Sequence, residues 1–322
     1  MSFELLKGQD SAVSFLKSSI RSDKLSHAYI FFGPGGVGKR IAAIDFAKAV
    51  NCADASSYEP CEACASCKKI NSSSHPDVSI IGNSEEQGQI KIDEVRRLIK
   101  DIYLKPFEAR KKFYIIDGAE NMKHEAANAL LKTLEEPPTD SILILLTERL
   151  ETLFHTIVSR CQVVRFYPLK TKEIEAVLKK EYSLDETNAR ILAHLAGGRV
   201  GEALKFKDAD IFAKRSSLIQ SVLSLGKASL DFDNVSKDDF RLYLDILLSW
   251  YSDIFNKKGG AEDYMLVNID KKDIIANEAK RISFESLEDI MNDIMMTCGY
   301  LDQNVNQKLA MSVLALKINK VG

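Results

Sequence analysis

Residues 33–40 read Gly-Pro-Gly-Gly-Val-Gly-Lys-Arg, a phosphate-binding loop complete through its lysine but with an arginine where the pattern G-x-x-x-x-G-K-[ST] has a hydroxyl. Gly33, Gly35, Gly36 and Gly38 let backbone N–H groups approach an anion, and the helix N-terminus that follows favours negative charge. Lys39 supplies a point charge to terminal phosphates, whereas Arg40 brings charge but no oxygen with which to ligate Mg²⁺. ATP or ADP binding therefore stays open, and efficient hydrolysis is not expected. A second constellation, Cys52 followed by Cys61-Glu-Ala-Cys64-Ala-Ser-Cys67, places four thiols within sixteen residues. Four thiolates suit tetrahedral Zn²⁺, and a site with all four positions filled is structural rather than catalytic. An iron–sulfur cluster is the chemical rival for the same ligands. Cys161 and Cys298 stand alone and read as small buried apolar residues.

The elements that position these groups are legible from periodicity. The apolar run Ala28–Phe32 precedes the loop and Ile41–Val50 follows it, so the loop joins a strand to a helix. Across residues 1–168, strand-like segments (Asp77–Ile81, Lys112–Asp117, Ser141–Thr147, Gln162–Phe166) alternate with helical ones (Ile92–Ile102, His124–Leu134), which predicts an α/β fold with a parallel sheet covered by helices. Phe113-Tyr-Ile-Ile116 is apolar throughout, as a strand buried on both faces should be, and ends in Asp117 at the carboxyl edge where ligands of such sheets bind. From Tyr167 onward the strand pattern stops, and the remainder reads as helices broken at Gly197-Gly198, Gly226 and Gly259-Gly260. Three domains are expected: α/β over 1–168 with the four-cysteine insert, a small helical lid over 169–207, and an all-α domain over 208–322 with apolar periodicity in Phe240–Phe255, Phe284–Tyr300 and Asn304–Ile318.

The chain has 322 residues, with 44 Lys plus Arg against 46 Asp plus Glu. A net charge of −2 gives no global drive toward DNA or anionic membranes, so nucleic-acid contact would have to be local or shared with partners. No run approaches the ~18 apolar residues of a membrane span, and the first residues lack the pattern of a secretory leader; a soluble, cytoplasmic protein is expected.

Further strings carry a resemblance. Gly8-Gln9, Leu25-Ser-His-Ala28, the loop Gly33–Lys39, the cysteine insert, Asn128-Ala-Leu-Leu-Lys-Thr-Leu-Glu-Glu-Pro-Pro138, Ser159-Arg160-Cys161 and Asn304-Val-Asn-Gln-Lys-Leu-Ala310 together resemble the clamp-loader branch of the AAA+ ATPases. The resemblance covers essentially the whole chain. It implies an AAA+ domain, a lid and a collar that locks the chain into a hetero-pentamer with gamma or tau ATPase subunits and delta, a component of the DNA polymerase III holoenzyme. That assembly loads a sliding clamp onto primer–template DNA. It also implies that Ser159–Cys161 faces the nucleotide of an adjacent subunit, with Arg160 as an arginine finger in trans. The physics of that role requires only a guanidinium projected toward charge developing on phosphoryl oxygens. Lys132, Glu135 and Glu136 read equally as interface or DNA-proximal groups and as solvated residues of a helix end before Pro137-Pro138.

Measured against the family's pattern, three elements of an ATPase are altered. Arg40 stands for the magnesium hydroxyl; Asp117 is followed by Gly118 where a second acid is usual; Gly201 occupies the place of a lid arginine. Glu120 is expected to point elsewhere, and Arg199 lies two positions from the needed one, a rotation of roughly 200° on a helix. Thr147 matches the position that senses the terminal phosphate. The resemblance thus implies a ring-closing subunit without turnover of its own; the alternative is an active gamma/tau-type ATPase. In the collar, Leu309, Val313 and Leu316 are expected to be buried.

Overall fold

The computed structural model describes residues 3, 6–54, 58–82, 89–209, 211–223, 237–302 and 305–321. Gly226 and Asn304, invoked above as a helix break and as part of a family string, lie outside the described residues. The chain divides into two compact units, Met1–Leu169 with Arg199–Gly201, and Lys170–Gly198 with Glu202–Gly322.

The first unit is an α/β layer structure. Its elements in chain order are α1 (Asp10–Arg21), β1 (Ala28–Phe32), α2 (Lys39–Asn51), α3 (Ala65–Asn71), β2 (Val78–Ile81), α4 (Ile92–Ile102), β3 (Lys112–Asp117), α5 (His124–Glu135), β4 (Ser141–Thr147), α6 (His155–Val158) and β5 (Gln162–Arg165). The strands lie in the order β2-β3-β4-β1-β5, and every pair is parallel. Parallel pairing requires crossovers, and the helices that make them cover both faces. β3 and β4 are accordingly buried at every position, while β2 and β5 are the edges. Successive side chains alternate between two cores: Tyr29, Phe31, Phe113 and Ile115 pack with Phe46 on one face, and Ala28, Ile30, Tyr114 and Ile116 with Leu130 on the other.

The second unit is helical: α7 (Thr171–Tyr182), α8 (Glu186–Leu195), α9 (Val200–Asp208, whose first two residues group with the first unit), α10 (Ile211–Leu223), α11 (Lys237–Lys258), α12 (Lys272–Arg281), α13 (Phe284–Asp302) and α14 (Gln307–Val321). The longest, α11, buries Phe240, Leu244, Leu247, Trp250 and Ile254. Helix α12 is not among the sequence expectations: Lys272-Asp-Ile-Ile-Ala-Asn-Glu-Ala-Lys-Arg281 is short and predominantly polar, and buries Ile275 and Ala279. The expected burial of Leu309, Val313 and Leu316 is corrected: they are 61%, 44% and 63% exposed, and α14 instead packs through Met311, Leu314 and Ile318. Among the described residues no helix is long and apolar enough to cross a membrane.

A buried polar knot ties this unit together. Arg215 on α10 grips Asp270 with both terminal nitrogens, at 3.0 and 2.7 Å, and donates from Nε to Asn268 at 2.8 Å. Asn268 in turn donates to Ser249 and Asp253 of α11, and Asp253 also accepts the backbone N–H groups of Val267 and Asn268. Removing the guanidinium strands acceptors in a low-dielectric interior. Arg215→Ala is therefore expected to cost about 3 kcal/mol, the lower end of the range for breaking a buried pair because Asp270 keeps some solvent. Urea unfolding followed by Trp250, the single tryptophan and fully buried in α11, reads that loss directly; an unchanged midpoint would show the knot to be dispensable.

Candidate functional site

The phosphate loop follows β1 at the carboxyl edge of the sheet, and its glycines are there for backbone reasons. Gly36 (φ 73°) and Gly38 (φ 98°) adopt left-handed conformations, and Gly38 turns the chain into α2 as its N-cap. Thr147, buried at the end of β4, and Asp117, buried at the end of β3, share this edge. The lysine ammonium does not point to open space: Lys39 Nζ donates to the carbonyls of Gly33 and Pro34 at 2.6 and 2.7 Å. Burial pushes its pKa down, and the charges of Glu148, Glu120 and Asp117 push back.

Arg40 reaches across to Asp117, with Nη1 3.0 Å from Oδ2. The arginine is half-exposed and the carboxylate almost fully buried, so the guanidinium supplies the positive charge that this carboxylate requires. The group set does not fit Mg²⁺, which demands near-octahedral oxygen ligation, since position 40 offers nitrogen donors and Asp117 is already engaged. Thr147 commits its hydroxyl to its own turn, donating to Arg149 O and accepting from Arg149 N–H, both at 3.2 Å. Gly201, which groups with this unit, donates its N–H to Gly36 O at 2.9 Å, and a Cβ there would lie 3.1 Å from Gly36 backbone atoms.

Glu120 does not point away. Gly118 at φ 78° reverses the chain into the short turn Ala119–Asn121, and Glu120 Oε1 accepts the backbone N–H of Glu148 at 3.2 Å. Both Glu120 and Glu148 thus bear on Lys39, a gathering that extended or helical spacing from Asp117 does not suggest. The loop faces an acidic surround.

The cysteine group hangs from the far end of α2. Cys52 follows that helix, Cys61 and Cys64 lie in the following loop, and Cys67 is buried in α3. All four sulfurs lie within 4.8 Å of one another, the compactness a tetrahedral metal needs. Each of Cys52, Cys61 and Cys64 accepts a backbone N–H at 3.3–3.4 Å. Burial raises the Cys64 thiol, but N–H groups of Ala53 and Cys67 outweigh it and bring it to about 6. These residues could hold a metal ion such as zinc. Lys48 of α2, fully buried, ties the module to the helix through Glu62 at 2.7 Å and Asn71 at 3.0 Å, a brace that no spacing rule announces.

Arg160 occupies the opposite edge. β5 pairs with β1 from Gln162 against Tyr29, so Arg160, two residues earlier, precedes the sheet at its amino edge. A five-residue strand separates the edges by roughly 16 Å, beyond the reach of an arginine to its own phosphate loop. The side chain is 35% exposed, with Nη2 2.9 Å from Glu135 Oε1 and Nη1 3.0 Å from Thr156 O. Cys161 packs against the core under it, half-buried, and burial pushes its thiol up to about 12. Cys298 is half-buried as well, less enclosed than expected.

Comparison with known proteins gives a consistent picture. Residues 8–170 match the family described as DNA polymerase III, delta subunit, and residues 210–320 its C-terminal counterpart. DNA polymerase III subunit delta' of Bacillus subtilis is 34% identical over 328 residues, 98% of each chain. Subunit tau of the same organism is 38% identical over 211 residues, 64% of this chain and 37% of that protein. A gamma subunit-related protein of Thermotoga maritima aligns over 95% of this chain and 99% of its own, at 18% identity and a TM-score of 0.42. This chain belongs to the DNA polymerase III delta-subunit family, on the delta-prime branch of bacterial clamp-loader subunits.

Proposed function

We propose that this chain is the delta-prime-type, ring-closing subunit of a cytoplasmic clamp loader, donating Arg160 to the ATP site of a neighbouring gamma- or tau-type subunit and hydrolysing no ATP itself. In this reading 169–207 is the lid and 208–322 the collar that joins the chain to the ATPase subunits and delta. The clamp and primer–template DNA are met through that complex. The observation that carries the reading is the Arg40–Asp117 ion pair, which occupies the carboxylate an ATPase needs for magnesium. The placement of Arg160 at the sheet edge away from its own loop supports action in trans. Zn²⁺ in the Cys52, Cys61, Cys64 and Cys67 site is structural, bracing the end of α2.

Two observations favour a second reading, an active gamma/tau-type ATPase: Lys39 is present in the loop, and Glu120 returns to its vicinity as a replacement acid. Clamp- and DNA-stimulated turnover of the reconstituted loader separates the two. The chain alone is expected to be silent, and Arg160→Ala to slow the site it completes by about 10³-fold or more. Steady turnover by the chain alone would establish the second reading.

Arg40→Thr is expected to free Asp117 and supply a hydroxyl, so that binding of a fluorescent ADP analogue tightens on adding Mg²⁺; the unsubstituted chain should show no such response. Metal content is expected at about one zinc per chain. Of the six cysteines, at most Cys161 and Cys298 should react with a thiol reagent before chelation under denaturing-free conditions, and the four ligands should join them afterwards with a lowered melting temperature. Visible absorbance typical of an iron–sulfur cluster would replace zinc as the occupant.

A further inference from the structure

We propose that Glu135 is the positioning residue of Arg160, holding its guanidinium at the amino edge of the sheet in the pose from which it meets a neighbour's phosphates. This deepens the finger role proposed above and rests on it. The topology makes the meeting. In a parallel sheet the covering helices run back to the amino edge, so α5 ends at Glu135 just before the chain enters β4, and α6 delivers Arg160 just before β5. Two segments 25 positions apart thereby converge in one ion pair.

The two anchors of the guanidinium differ in kind. Thr156 O, at 3.0 Å, lies in the short helix α6 four residues before Arg160 and holds one terminal nitrogen to the chain's own segment. Glu135 Oε1, at 2.9 Å, belongs to a separate helix and fixes the tip relative to the sheet. Both supports are rigid: α5 is seated through Ala126, Ala127, Leu130 and Leu134, and Cys161 packs on the same core beside Arg160. The contacts use two of the guanidinium N–H groups and leave others to donate outward.

The strength of the pair suits the task. Arg160 and Glu135 are 35% and 53% exposed, so water screens their attraction and the pair is weak. It narrows the rotamers of a long, flexible side chain, yet it yields to a phosphate, with which arginine makes charge-assisted, bidentate bonds. A buried partner would instead have sequestered the finger.

The test uses the reconstituted loader with clamp and primed DNA, comparing Glu135→Ala, Glu135→Gln, Arg160→Ala and the double alanine variant for kcat, KM for ATP and co-elution of the ring. Glu135→Ala is expected to lower kcat on the order of three- to tenfold while KM and co-elution hold. Glu135→Gln, which keeps an oxygen acceptor, should recover most of the loss, and the double variant should be no slower than Arg160→Ala alone. If Arg160→Ala slows turnover but Glu135→Ala does not, or if their losses multiply, the positioning role is overturned while the finger stands. Loss of co-elution in Glu135→Ala would overturn it too, assigning Glu135 to assembly. An unchanged Arg160→Ala loader would remove the finger reading itself, and this inference with it.

Discussion

A parallel sheet buried on both faces leaves its strand ends for chemistry, and that constraint places both the phosphate loop and Arg160 in the first unit. Ladder hydrogen bonds and two apolar cores occupy the strand interiors; polar groups are tolerated where backbone turns and solvent begin. Here the carboxyl edge gathers Lys39, Arg40, Asp117, Thr147 and the returning Glu120, while the amino edge gathers Glu135 and Arg160. The two groups are separated by the length of a strand, so they can change independently. A chain can lose an acceptor site at one edge and still present a donor at the other.

Asp117 shows how a buried carboxylate at the carboxyl edge is met by a side chain. Its carboxylate is 4% exposed, and a buried charge without a partner is costly. In an ATPase of this architecture a hydrated Mg²⁺ answers that demand; here the guanidinium of Arg40 does. The poor fit of these groups to Mg²⁺ does not rest on the strength of this pair, since its arginine is half-exposed and such contacts are worth only about 1 kcal/mol or less. It rests on ligand chemistry, because position 40 supplies no side-chain oxygen beside Asp117. Lys39 is turned onto the carbonyls of its own loop, which take two of its three donors.

What could be read from sequence was what periodicity and spacing encode. The apolar runs at Lys112–Asp117 and Ser141–Thr147 became the two central strands, and the cysteine spacing became a cluster with sulfurs within 4.8 Å. What escaped was contact between distant segments and reversal at single residues. The Glu135–Arg160 and Lys48–Glu62 pairs join different elements, and the return of Glu120 turns on the left-handed Gly118. Helix α14 misled for another reason: its apolar residues run around more than one face, so pattern alone could not say whether Leu309, Val313 and Leu316 or Met311, Leu314 and Ile318 would pack within the chain.

Helix α2 links these observations. Its first turn carries Lys39 and Arg40, and the cysteine group begins at Cys52 where it ends. Metal ligation would fix the far end through folding free energy, and buried Lys48 couples that end to the module through Glu62 and Asn71. At the near end, Arg40 is tied to β3 and Lys39 to its own loop. These contacts restrain α2 at both ends, against the sheet on one side and the cysteine module on the other. The proposed aiming of Arg160 by Glu135 calls for the same restraint at the amino edge, because a weak ion pair sets a direction only against a sheet and helices that hold still.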